Sequence, residues 1–242
     1  MEKMALCFHT NQLLDVLYDT KKPFNVIDLI KLPTKLVSRR VCETDLNTIQ
    51  IIPYITLRDA KTSDIFIYTR GEAGDEKRLH GTCSIGLGGH VDTDLDYKAH
   101  PGKYALLSHL ASEAVRELKE EVGLEDETLF AQIYDALIMG NFIVLYNNTD
   151  SVGRVHVGVS ITLSVDKEQL THTEHDIITK GAWMSNSEIS TQSINGMIEL
   201  ERWSEIYIFC QIEPKGIFMP AETPAEHLKT CSSECACHNN KV

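Results

Sequence analysis

The chain has 242 residues and 27.2 kDa, with 43% hydrophobic and 24% charged residues, proportions that exclude wholesale disorder and allow one large domain or two small ones. Its 35 acidic and 23 basic residues leave a net charge of -12, which argues against coating nucleic acid or an anionic membrane, since both need a basic face. A small phosphorylated ligand stays open, because a bound metal ion reverses the local sign.

The N-terminal stretch MEKMALCFHTNQLLDVLYD has no sustained apolar core, so no secretory leader is expected. The longest apolar candidate, around Ala136–Tyr146, falls short of the roughly 18 residues of a membrane span. Seven cysteines, an odd and mostly scattered set, fit reduced thiols better than a disulfide framework. The expectation is a cytoplasmic protein with neither membrane nor nucleic-acid polymer as partner, in which the sequon Asn147-Asn148-Thr149 is silent.

In chain order, residues 1–45 combine a short helical pattern (Leu13, Leu14, Val16, Leu17) with basic, proline-bearing loops, and read as an extension packed on a core domain at 46–212. Strand patterns at Ile51–Leu57 and Ile65–Thr69, separated by turn formers over Arg58–Asp64, predict a hairpin. A glycine- and charge-rich loop, Gly71–Lys77, leads to Cys83–Leu87 and the pair Gly88-Gly89; residues 92–104 read as irregular. A helix is predicted from about Tyr104 to Val122, because Leu106, Leu107, Leu110, Ala114, Leu118 and Val122 recur at helical steps and Gly123 falls where a C-cap belongs. Further strands are predicted at Leu129–Leu137, Phe142–Tyr146 and His156–Leu163. A last helix runs from about Ser187 through Trp203 to Phe209, interrupted near Asn195-Gly196, and residues 213–242 form a tail. Strands on both sides of a central helix predict an α/β or α+β domain with one core.

The informative stretch is Arg116-Glu117-Leu118-Lys119-Glu120-Glu121-Val122-Gly123-Leu124. On a helix, Glu117 and Glu121 lie about 40° apart around the axis, and Glu113 extends the line by a turn. Stacked carboxylates repel and call for a cation. Arg116 compensates Glu120 four residues on, which leaves Glu117 and Glu121 as hard oxygen donors suited to Mg²⁺ or Mn²⁺. Taken alone, such a run also reads as a solvated acidic face. The preceding Ser84-Ile85-Gly86-Leu87-Gly88-Gly89-His90 tips the balance, since glycines let backbone approach a ligand or metal closely.

In these residues the sequence resembles the Nudix hydrolase family. Arg116 through Leu124 match every fixed position in the second half of its signature, Arg-Glu-aliphatic-x-Glu-Glu-x-Gly-aliphatic. Gly88-Gly89-His90-Val91-Asp92 is similar to the family's Gly-Gly-x-aliphatic-acidic opening. Two departures stand out: an insertion at Thr93–Tyr104, and Ser108 where the family carries its first glutamate. Gln50-Ile51-Ile52-Pro53-Tyr54, Arg78-Leu79-His80-Gly81, Ser84–His90 and Met197 to Trp203-Ser204 resemble the MutT-type predicted phosphoesterase subgroup, a likeness spanning roughly Val41–Phe209.

The resemblance implies a Nudix-type α/β/α sandwich with a mixed central sheet. It implies Glu117, Glu120 and Glu121 as divalent-metal ligands, a backbone carbonyl of Gly88 or Gly89 beside them, and Arg116 orienting Glu120. The implied reaction is hydrolysis of the diphosphate bond in a nucleoside diphosphate joined to another moiety, so the partner is a small nucleotide-like substrate. Dimerisation is common in the family, and no feature here decides it. A general base on a loop before the last strand makes Glu174 the candidate, weighed equally against an ordinary loop acid; His172 and His175 read as surface residues.

Arg70 and Arg78 are candidate phosphate-binding forks, against surface ion pairing. Tyr54, Phe66 and Tyr68 fit core packing better than base stacking, and Trp183 and Trp203 fit packing. The tail's Cys231, Cys235, Cys237 and His238 have an irregular metal-ligand spacing and read as a loose thiol-bearing segment. The alternatives to hydrolysis are a nucleotide sensor, favoured only by Ser108, and an isomerase of the isopentenyl-diphosphate type, for which Cys83 would be the cysteine. Residues 92–127 contain ten acids and four bases, half the net charge in 36 residues, so the acidity gathers at the presumed cation site.

Overall fold

The computed structural model describes residues 2–19, 26–72, 77–92, 105–170, 176–210 and 217–220. A mixed sheet runs through the protein. Its main path is β10 (Ile217–Pro220), β7 (Ile143–Tyr146), β8 (His156–Val165), β3 (Thr48–Asp59), β1 (Met4–His9) and β2 (Thr34–Ser38). β3 and β8 form its parallel centre, in register from Gln50↔His156 to Asp59↔Val165. A parallel pair covered on both faces reads as a continuous apolar run rather than an alternating one, which is why Ile51-Ile52-Pro53-Tyr54-Ile55 carries no polar face. β4 (Ile65–Arg70) turns back from β3 at the pair Arg58↔Ile65, as the hairpin pattern predicts, then pairs with β5 (Cys83–Ser84) and β9 (Ile178–Met184). β6 (Gly86–Leu87) returns to β3 at Ile55 and Thr56.

Side chains alternate between two packed layers. On one face Ile51, Ile55 and Leu57 of β3 and Val144 of β7 meet α1 (Thr10–Leu17), α4 (Ala105–Val122) and α5 (Leu129–Ile138). On the other, Tyr54, Ile143 and Leu145 meet α6 (Asn186–Ile194) and α7 (Arg202–Cys210). This is an α/β/α arrangement. Short helices α2 (Val26–Ile30) and α3 (Arg39–Cys42) flank β2, and β1 lies inside the sheet between β2 and β3. No helix among the described residues is long and apolar enough to cross a membrane.

Pro53 in a central strand is accommodated by a gap. The edge of β3 opposite β8 pairs with β1 through Thr48–Gln50 and with β6 at Ile55–Thr56. Proline cannot donate to a ladder, and Pro53 sits between those two pairings. The backbone of Gly88 closes on it there, so near that a Cβ on Gly88 would lie 1.9 Å from the Pro53 carbonyl oxygen.

α4 matches its predicted span within a residue and ends as its sequence demands. Gly123 has φ 63°, its N–H donates to the Lys119 carbonyl at 3.1 Å, and the Leu124 N–H reaches back to Leu118 at 3.1 Å. Only glycine adopts that left-handed turn without penalty, and buried Leu124 supplies the apolar contact that accompanies it. The predicted last helix is two, α6 and α7, divided after Ile194, with Gly196 at φ 67°.

One element differs in kind. Leu129–Leu137, expected as a strand, is helix α5. Leu129, Ile133 and Leu137, four residues apart, are all buried, whereas Phe130 and Ile138 face solvent. Phe130 stacks on Tyr134 one turn later, with ring centroids 5.7 Å apart. Aromatic and β-branched content favours a strand, but the four-residue stripe packing against α4 and the sheet overrides it. Ile133→Ala should therefore lower stability by about 2–5 kcal/mol in chemical denaturation, and Phe130→Ala by about 1 kcal/mol or less. A strand would put residues 131 and 133 on one face, whereas on α5 Ala131 is exposed and Ile133 buried, so Ala131→Asp should cost about 0.5 kcal/mol or less only on a helix.

Candidate functional site

α4 lays its acidic stripe along a cavity of about 420 Å³. Arg116, Glu117, Glu120 and Glu121 line it, as do Gly88 and Gly89. Arg116 binds three carboxylates at once, those of Glu113, Glu117 and Glu120, with Nε also donating to Glu113 Oε2 at 3.2 Å. Glu113 is wholly buried. The guanidinium thus takes its buried partner from one turn before the signature. Ser108, the departure from the family pattern, lies in the first turn of α4 and does not line the cavity.

Burial, then the nearby charge of Glu121, pushes the Glu117 carboxyl up to about 9. Burial likewise pushes Glu113 up, against the pull of Arg116. Such crowding is relieved by a cation. The backbone of Gly89 presses on Glu117, where a Cβ would sit 2.1 Å from Oε1. A donor set of hard oxygens beside a glycine that leaves space only for backbone fits Mg²⁺ or Mn²⁺.

Behind this wall lies a buried polar cluster. Glu201 is 5% exposed, and its Oε1 accepts from Tyr54 Oη at 2.8 Å and Ser84 Oγ at 2.5 Å, with Ser204 Oγ at 3.2 Å. Ser204 Oγ also accepts from the Ile85 N–H at 3.0 Å, and Arg70 reaches Glu201 Oε2 at 3.8 Å. The cluster ties β3, the β5–β6 segment and α7 together. Burial, and after it the Glu201 charge, hold the Tyr54 phenol well above its usual range. Trp203 meets Tyr54 edge-on at 5.6 Å and also lines the cavity. The relevant sequence signal was the Met197–Ser204 stretch, although nothing in it marks Glu201 as buried.

The predicted phosphate-binding arginines part company. Arg70 lines the cavity. Arg78 lies outside it, donating to Glu43 Oε2 at 2.9 Å and to the Ser151 carbonyl at 2.9 Å. Phe66 and Tyr68 are buried in the core, and Cys83 packs in the second core layer away from the cavity. That removes the isomerase reading's cysteine from the pocket. Glu174, His172 and His175 lie outside the described residues, as do the Thr93–Tyr104 insertion and the tail's Cys231, Cys235, Cys237 and His238. The described cysteines Cys7, Cys42 and Cys83 are free thiols.

Two histidines, His90 and His156, also line the cavity, with Glu43 beside them. The ligand atoms of Glu43, His90 and His156 lie within 4.8 Å of one another, as no other trio of such residues does among those described. His90 was legible only as part of Gly-Gly-His, and His156 only as the first residue of a strand.

No family model matches the chain. It is 29% identical to Protein YmaB of Bacillus subtilis (strain 168) over 166 residues, 69% of this chain and 72% of that protein. Among solved structures it is similar to Tm1382, designated a Nudix hydrolase on provisional grounds, at 23% identity and TM-score 0.54, covering 85% of this chain and 96% of that one. A Nudix hydrolase from Alicyclobacillus acidocaldarius is 13% identical, with TM-score 0.44, over 66% of this chain and 89% of that one. The likeness to Tm1382 is one of fold. The chain is a Nudix-fold protein.

Tyr54→Phe should lower stability by about 1.5–3 kcal/mol in urea, because a buried carboxylate loses a donor while the packing of the ring is kept. A change below 0.5 kcal/mol, roughly that of an exposed substitution, would show that the cluster does not hold α7 to the sheet.

Proposed function

We propose that the protein is a divalent-metal-dependent hydrolase that cleaves the diphosphate bond of a nucleoside diphosphate linked to another moiety. The observation that carries this reading is the signature helix α4 presenting Glu117, Glu120 and Glu121 to a cavity whose opposite lip is Gly88-Gly89. Glu117, Glu120, Glu121 and a backbone carbonyl of Gly88 or Gly89 would hold Mg²⁺ or Mn²⁺. When bound, the metal neutralises diphosphate charge and acidifies water.

The chain's own residues do the rest. Arg116 fixes the rotamers of Glu117 and Glu120 by charge-assisted hydrogen bonds, so those carboxylates need not reorganise when substrate arrives. Arg70, held from behind by Glu201, gives the cavity a phosphate donor, and Lys3 and Arg39 line it too. Trp203 offers an aromatic surface for a base. In the reaction, water adds to one phosphorus, the bridging P–O bond breaks, and a carboxylate takes the proton, with Glu174 as the candidate base.

Incubation with ADP-ribose, NADH, dinucleoside polyphosphates, nucleoside triphosphates and sugar nucleotides should give product with Mg²⁺ or Mn²⁺ and none with EDTA. Glu121→Gln should lower turnover about 100-fold or more, with an unchanged circular dichroism spectrum. Absence of metal-dependent product across the panel would leave the nucleotide-sensor reading in its place. Retention of most activity by Glu121→Gln would overturn the metal-ligand assignment.

A further inference from the structure

We propose that Glu43, His90 and His156 form a binding site for a first-row transition metal of the Zn²⁺ class, distinct from the carboxylates of α4. The residues come from three separate places: the turn after α3, the glycine-rich segment, and the start of β8. Their donor atoms converge. His90 Nε2 and His156 Nε2 are 3.2 Å apart, and His156 Nε2 is 3.7 Å from Glu43 Oε1. Two ligands each about 2.1 Å from a single Zn²⁺ at tetrahedral angles are separated by about 3.4 Å. The observed spacings bracket that value.

The surrounding hydrogen bonds set each donor's direction. His156 Nδ1 lies 2.8 Å from the Val152 carbonyl, which can only accept, so Nδ1 carries the proton and Nε2 turns its lone pair toward His90 and Glu43. A histidine whose far nitrogen donates to a backbone carbonyl is the usual arrangement of a metal ligand. Glu43 is oriented in the same way: Arg78 takes Oε2 at 2.9 Å and leaves Oε1 facing the histidines. Arg78 is therefore a positioning residue for this carboxylate.

Gln50 supplies an independent observation. It is fully buried, and its amide nitrogen lies 3.0 Å from His156 Nε2 and 3.2 Å from Glu43 Oε1. One polar hydrogen-bearing group facing both atoms shows that both lone pairs point to a common place. The other end of the amide, Oε1, is a buried oxygen with no hydrogen-bond partner. A half-turn of the amide presents this oxygen to the same place as a fourth donor. Two imidazoles, a carboxylate and an amide oxygen suit Zn²⁺ and its neighbours in the first row better than Mg²⁺, which prefers oxygen alone. His90 and His156 line the same cavity as Glu117, so a ligand there could reach both sites.

This inference does not depend on the chain being a hydrolase. The test uses the full-length protein, stripped with a chelator and desalted, then titrated with Zn²⁺ against a chromophoric chelator and with Co²⁺ followed by its visible d–d bands. The expected result is one equivalent that an excess of Mg²⁺ does not displace and that gives no thiolate-to-cobalt charge-transfer band. His90→Ala and His156→Ala should each lose that equivalent, and Arg78→Ala should weaken it about tenfold. Glu117→Gln and Cys231→Ser/Cys235→Ser/Cys237→Ser should keep it. His156 is buried, so His90→Ala, checked by circular dichroism, decides the matter if His156→Ala does not fold. Unchanged zinc stoichiometry and affinity in His90→Ala, or loss of the equivalent in the triple serine variant, would overturn the site.

Discussion

Four carboxylates within nine residues of one helix repel one another, and the rest of the site depends on how that repulsion is met. Arg116 meets most of it. Its guanidinium touches Glu113, Glu117 and Glu120, and Glu113 has no exposed surface at all. A buried carboxylate without such a partner would take up a proton, and the helix would lose the charge that makes it useful. The remaining strain falls on Glu117 and Glu121, where burial and mutual repulsion favour the arrival of a cation. The local arrangement is electrostatically incomplete by itself.

That helix is useful only because the backbone opposite can come close. Gly86, Gly88 and Gly89 lie against the Tyr54 ring, the Pro53 carbonyl and the Glu117 carboxylate, each so near that a Cβ would sit about 2 Å from its neighbour. The gap in β3 at Pro53 makes room for them. Tyr54, held by Glu201, Ser84 and Ser204, then ties the same stretch of β3 to α7, so the cavity floor is anchored from the far layer. Glycine packing, the proline gap and the buried glutamate form one support. The histidine pair lies along the same wall, where β3 and β8 begin their parallel register at Gln50 and His156.

Much of this was legible in the chain. The helical stripe of α4, its glycine stop, the β3–β4 hairpin and the strands at β7 and β8 follow from periodicity and turn chemistry, which are local. The signature run named Arg116, Glu117, Glu120 and Glu121, and the structure places all four at the cavity. What failed was of another kind. Leu129–Leu137 has strand-like composition, and only contact with α4 and the sheet decides for a helix. Arg78 and Arg70 look alike in sequence, yet one is spent on Glu43 and the other faces the cavity. Glu201 and His156 have no motif, because what makes them notable is burial beside residues up to 147 positions away.

The sequence by itself therefore determined the family resemblance, the helix α4 and its acidic stripe, because a helix brings residues four apart together whatever surrounds it. The tertiary structure decided which arginine meets the cavity, which carboxylate completes the grip on Arg116, and that Glu43, His90 and His156 converge. Convergence of side chains from distant segments is set by sheet register and loop packing, and no local pattern of residues records it.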